Sequence, residues 1–214
     1  MKRIYLSPSD QWANSYPDTA VFEGKNTSEK EQMGRVADAC EKALKRCGFE
    51  VINNQKSSMA DRVKESNAWP ADLHICIHSN ACNGKVGGTR MFSYDLSGEG
   101  YKATQCVFDV LAPITPGTSE NIKAYPGLYE VKNTHMPCVY VETDFHDVPE
   151  IADWIIGHVT EIGEAICQGV CNYYGVDYIA DADVVVVVPT IDEWVKIGPF
   201  SFKVTGNQVT IKAN

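Results

Sequence analysis

Leu73-His74-Ile75-Cys76-Ile77-His78-Ser79-Asn80-Ala81 reads as one buried strand that ends in an imidazole and an amide. Its short, nearly continuous apolar run is what a parallel sheet covered on both faces requires. The polar group 78–80 follows at once, where the chain leaves the sheet, and open α/β sheets build their sites at such carboxyl ends. Comparable runs occur at residues 4–6, 49–52 and 137–141, and an alternating stretch at 89–94 reads as a sheet-edge strand. Residues 128–131 read as a further short strand.

Between these runs the period changes to that of a helix. Met33, Val36, Ala37, Cys40, Leu44 and Cys47 recur on one face and stop at Gly48, which predicts a first long helix. Ser58 with Asp61 three residues later predicts the cap of a short second helix, and residues 99–111 predict a third. Pro149 suits the first turn of a final long helix running to Val170. Strands alternating with helices give an α/β class: a mostly parallel twisted sheet flanked by helices, expected over residues 1–175. Residues 176–214 change character, with five valines at 184–188 and further strand-like runs around the turn 205–208, and are expected to form a small C-terminal β appendage. So small a unit holds little core, so it is expected to dock, bind a polymer or associate with a second copy.

The chain has 214 residues, 44% hydrophobic, and a formal net charge of -9, enough for a real core and the wrong sign for nucleic acid. No run reaches the roughly 18 apolar residues that span a bilayer, so no membrane insertion is expected. Nothing at the N-terminus reads as a secretory signal, so the chain is expected to be cytoplasmic as synthesised. Seven of the eight cysteines fall on apolar faces and read as reduced core thiols. Cys167 and Cys171, four apart on one helix, come nearest to a metal-binding spacing, and no structural zinc site is expected.

Three residues at element ends point to hydrolytic zinc chemistry: Glu29, His78 and Glu142. Ser28 and Glu31 form a capping box, which leaves Glu29 in the first helical turn free to point off the helix end or simply to favour the helix dipole. His78 is either a ligand at a strand tip or a satisfied core histidine. Glu142, after Val139-Tyr140-Val141, is either a partly desolvated general base or one acid of the surface loop 142–147. His74 is expected to be a packed core residue, and a cysteine nucleophile ranks below the metal.

Taken in this order, these residues resemble the zinc-dependent N-acetylmuramoyl-L-alanine amidases. The resemblance runs from Met1 to about Tyr174 and rests on four elements: Glu29 opening a helix that ends at Gly48; Asp72 to Ala81; Gly88-Thr89-Arg90; and Met136-Pro137-Cys138-Val139-Tyr140-Val141-Glu142 before Phe145. It implies one zinc ion held by Glu29, His78 and a residue after the first strand, with Glu142 as catalytic base. Where the family shows a Gly-His pair, this chain has Ser9-Asp10-Gln11, so Asp10 falls at the position of the missing ligand. The resemblance also implies Asn80, His146 and Gln11 as substrate contacts, peptidoglycan as partner, and an endolysin-like enzyme acting at the wall after release. The alternative is a wall-binding or scaffold protein that kept the fold and lost the ion. The C-terminal strands are expected to mediate homo-oligomer formation.

Overall fold

The computed structural model describes residues 1–181 together with three strands in the C-terminal region. Along the chain run β1 (Arg3–Pro8), β2 (Val21–Phe22), β3 (Lys25–Asn26), α1 (Glu29–Arg46), β4 (Glu50–Asn53), α2 (Met59–Ala68), β5 (Leu73–Asn80) and β6 (Arg90–Ser93). They are followed by α3 (Glu99–Leu111), β7 (Asn121–Ala124), α4 (Tyr129–Asn133), β8 (Cys138–Phe145), α5 (Pro149–Gly157) and α6 (Val159–Tyr174). Six strands form one sheet in the order β4-β1-β5-β8-β6-β7, parallel except where β6 meets β8. This is the α/β class expected from the alternation of strand and helix periods.

β5 is central, and its period-2 alternation divides the molecule into two layers. Leu73, Ile75 and Ile77 enter the large core with Val139 and Val141 of β8, and α1, α3 and α6 cover that face. Cys76 enters a smaller cluster with Cys138, Tyr140 and Val131, under α2 and α4. By the same alternation His78 and Glu142 belong to the smaller face, and they are register partners across β5 and β8.

Three elements depart from the sequence reading. Residues 128–131, expected as strand, open helix α4, because the Glu130 carboxylate turns inward onto His74 and Ser7, and Thr134 Oγ1 closes the turn on the Glu130 carbonyl. The strand at 90–93 lies between β8 and β7, leaving the short β7 at the edge. The single helix expected after Pro149 is two, broken at His158, whose Nδ1 meets the Trp154 carbonyl at 2.7 Å and takes the place of the helical bond. Gly48, at φ 87°, ends α1 as read. Close approach also fixes Gly169, where a Cβ would collide with the Val107 backbone, so α6 lies directly on α3.

The chain divides into two compact units, Met1–Ile179 and Ala180–Asn214. Residues 176–179 stay with the first unit because the Ile179 amide and carbonyl both face Cys47 Sγ, at 3.3 and 3.7 Å. The second unit contains β9 (Ile191–Ile197), β10 (Phe200–Thr205) and β11 (Gln208–Ala213), an antiparallel meander in the order β11-β10-β9. The five valines 184–188 lie outside the described residues. Among the described residues, no helix is long and apolar enough to cross a membrane.

Candidate active site

Ser28 caps α1, its Oγ accepting the Glu31 amide. The Glu31 carboxylate accepts from Thr27 Oγ1 at 2.6 Å rather than reaching back to the Ser28 amide. Glu29, 1% exposed, is thereby held in the first turn and aimed at the end of β5. Its Oε1 lies 2.8 Å from His78 Nδ1, and its Oε2 accepts from Asn14 Nδ2 at 2.7 Å. Asn14 Nδ2 also donates to Gln11 Oε1 at 2.7 Å, tying the long loop after β1 to the helix start.

The electrostatics are those of an ion pair facing a strained acid. Burial alone would raise the Glu29 carboxyl, but the hydrogen bond and charge of His78 outweigh it and hold it below the usual carboxylate range. Burial alone would lower His78, but the bond to Glu29 and the field of Glu142 raise it above an ordinary imidazole. Glu142 goes the other way. Burial, with the like charge of Glu29, pushes its carboxyl up to about 7 against the opposing pull of His78. Its Oε2 is shut off from solvent without a hydrogen-bond partner among the described residues.

His146 is buried with its Nδ1 2.9 Å from Ser79 Oγ, and burial lowers its pKa. Tyr16 stacks on its ring at 4.9 Å and bonds the same Ser79 hydroxyl at 3.0 Å. Asn80 uses Oδ1 on the Ala81 amide and its carbonyl on the His146 amide, which joins the ends of β5 and β8. Asp147 holds the loop beside them by accepting from the Cys82 and Gly84 amides.

A cavity of about 290 Å³ opens beside His78, lined among others by Asp10, Gln11, Arg62, Glu130 and Tyr140. Tyr140 stacks on the His78 ring at 4.7 Å. Beneath it runs a buried polar chain: His74 meets Ser66 Oγ at 2.9 Å and Glu130 Oε1 at 3.1 Å, and Ser7 Oγ donates to the same carboxylate. His74 is therefore a packed residue with both ring nitrogens engaged. Arg62 donates to the Ser57 and Pro8 carbonyls, which leaves its buried Nη2 without a partner.

The structure thus brings Glu29, His78 and Glu142 to one end of the sheet, with Asn80 and His146 beside them. Asp10 and Gln11 stand on the cavity wall. Among the described residues, Asp10 joins Glu29 and His78 in no group of three donors within 4.8 Å. The Glu29 carboxylate oxygen and the His78 nitrogen in contact supply two of the three protein donors that a catalytic zinc site takes, with the unpartnered Glu142 oxygen in the register position beside His78. Sequence reasoning missed Asn14, Tyr16 and Tyr140, which orient this set; the length and polar-aromatic content of loop 7–27 was the signal for the first two.

Known proteins share this arrangement of elements. The family described as N-acetylmuramoyl-L-alanine amidase matches residues 16–172. The catalytic domain of the amidase CwlV from Bacillus (Paenibacillus) polymyxa var. colistinus superimposes with a TM-score of 0.68 at 19% identity, over 83% of this chain and 100% of that one. The CwlD amidase of Clostridioides difficile, solved in complex with the GerS lipoprotein, gives 0.68 at 20% identity over 83% and 100%. The catalytic domain of the CD27L endolysin, targeting Clostridia difficile, gives 0.62 at 20% identity over 80% and 98%. At these identities the likeness shows the fold. An uncharacterized 38.4 kDa protein of Clostridium perfringens is 31% identical over 114 residues, 51% of this chain and 33% of that protein, so the chain spans about a third of this curated relative's length. With the family match covering most of the α/β unit and the site lying within it, the chain belongs to the N-acetylmuramoyl-L-alanine amidase family.

Proposed function

We propose that this chain cleaves the amide between N-acetylmuramic acid and the L-alanine of the peptidoglycan stem peptide, with one zinc ion held by Glu29 and His78. The observation that carries this reading is Glu142, whose carboxyl is held at about 7 in register with His78. A base with a pKa near the working pH can both take and return a proton. Held by these residues, a zinc ion would supply a Lewis acid for the scissile carbonyl and lower the pKa of a water. Glu142 accepts the water proton and passes it to the departing amine of L-alanine. The 2.8 Å approach of Glu29 Oε1 to His78 Nδ1, with Asn14 fixing Glu29, brings the two donor atoms close enough to share one ion, which would take the place of the proton between them. Asp10, on the cavity wall, would be the third protein donor, and Gln11, Asn80 and His146 would contact the substrate around the cleft.

The full chain, loaded with zinc and given purified cell wall, is expected to release new L-alanine amino termini. Chelator and Glu142→Ala each abolish the release. Absence of release with the loaded chain overturns the proposal. The non-catalytic wall-binding alternative draws on the position of Asp10 outside the Glu29–His78 contact, and it requires wall binding without that release. An endolysin role is supported by the fold shared with the CD27L catalytic domain, and cytoplasmic accumulation before release at the wall goes with it. Self-association through the C-terminal strands is tested by the solution mass of the full chain, which a monomeric value refutes.

A further inference from the structure

Three thiols from distant parts of the sequence meet inside the main unit, away from the cleft. Cys47 caps the C-terminus of α1, about 27 Å along the helix from Glu29 at 1.5 Å per residue. Cys167 and Cys171 lie one turn apart on α6, on the face packed against α1. All three are buried, and their sulfurs lie within 4.8 Å of one another, with Cys47 and Cys167 at 3.7 Å. From this convergence we infer that Cys47, Cys167 and Cys171 form a second metal site, closed to solvent, that takes one thiophilic ion of the zinc class and has a structural role.

The geometry suits such an ion. With metal–sulfur bonds of about 2.3 Å, tetrahedral ligands stand about 3.8 Å apart, so the observed sulfurs need only a small inward adjustment. The Ile179 amide donates to Cys47 Sγ at 3.3 Å, the kind of bond that supports a thiolate on a metal. The Ile179 carbonyl, 3.7 Å from the same sulfur, already accepts from Arg46 Nε, so the three sulfurs are the ligands the protein offers here. Thiolates buried without an ion are disfavoured by desolvation, and a divalent cation offsets that charge as it displaces the protons. The other three-donor group among the described residues, His74, Cys76 and Glu130, provides a contrast, since His74 and Glu130 already bond each other, Ser66 and Ser7, and only one sulfur is present. A filled site would clamp the end of α1, the middle of α6 and the segment at Ile179 to one another.

Cobalt(II) distinguishes this site from the Glu29–His78 pair, because only sulfur ligands give a near-ultraviolet thiolate-to-cobalt charge-transfer band. The reduced, metal-free full chain carrying Glu29→Ala and His78→Ala is titrated with cobalt(II) alone. One equivalent with the thiolate band, and a raised melting temperature in the same sample, is the expected result. Cys171→Ser is expected to lose the band and Cys82→Ser, at an exposed thiol outside the cluster, to keep it. Cobalt uptake without the band, no uptake at all, or a band that survives Cys171→Ser would overturn the proposal. Should Cys171→Ser fail to fold, the Glu29→Ala/His78→Ala chain still decides, since its band is present or absent.

Discussion

Replacing Glu142 by glutamine tests the electrostatics of the site apart from its chemistry. The folded protein holds this carboxyl at about 7 against 4.5 for an unrestrained glutamate. At about 1.4 kcal/mol for each tenfold change in proton affinity, the difference corresponds to about 3 kcal/mol. The side chain is partly exposed while Oε2 is shut off, so solvent screening reduces the expected effect to about 2 kcal/mol. The sign follows from proton binding. Between pH 4.5 and 7 the folded chain keeps a proton that the unfolded chain releases, so this group weakens folding progressively across that window and fully above it. Below pH 4.5 both states are protonated and the penalty is absent. Glu142→Gln removes the penalty, so its stability relative to the parent rises by about 2 kcal/mol from about pH 4.5 to about pH 8. For a unit of this size that is about 4 to 8 °C in melting temperature. Thermal or urea unfolding of both proteins at the two pH values, in chelator, measures it, and wall hydrolysis by the variant is expected to fall about 10²- to 10⁴-fold. A stability difference that stays constant with pH, or that shrinks as pH rises, would refute the reasoning, because Glu142 would then not be a desolvated acid.

The Glu29–His78 pair carries the opposite dependence: the lowered Glu29 loses its contribution as pH falls through the carboxylate range, and the raised His78 loses its own as pH rises past the imidazole range. A double-mutant cycle of Glu29→Gln and His78→Gln in chelator should therefore show its largest coupling near about pH 6 and a smaller one at about pH 9, and an equal coupling at both contradicts the ion pair. Ser28→Ala removes the cap that sets the first turn of α1 and should destabilise the protein by about 1 kcal/mol, with a measurable loss of metal affinity at Glu29, read by urea unfolding and zinc titration. Gly169→Ala drives a methyl into Val107 and should lower stability by about 1 to 3 kcal/mol in urea unfolding without changing the metal content per folded chain.

Much of the site was legible in the sequence because local rules decide it. The apolar run before His78 reads as a strand, Ser28 and Gly48 bracket α1, and period-2 alternation puts His78 and Glu142 on the same face as Tyr140. The fate of residues 128–131 was not legible, since four residues carry too little period to separate strand from helix. What settled it was a buried bond from Glu130 to His74, 56 positions away.

By itself, then, the chain determined the class of fold, the ends of its main elements and the residue types at the tips of its strands, all set by hydrophobic period and capping. Tertiary structure alone decided that Glu29 and His78 touch across 49 positions, that Asp10 stands outside that contact, and that Cys47 meets Cys167, 120 positions away, and with it Cys171. Contacts of that kind depend on how helices and strands are laid against one another in space. No spacing along a linear chain encodes them.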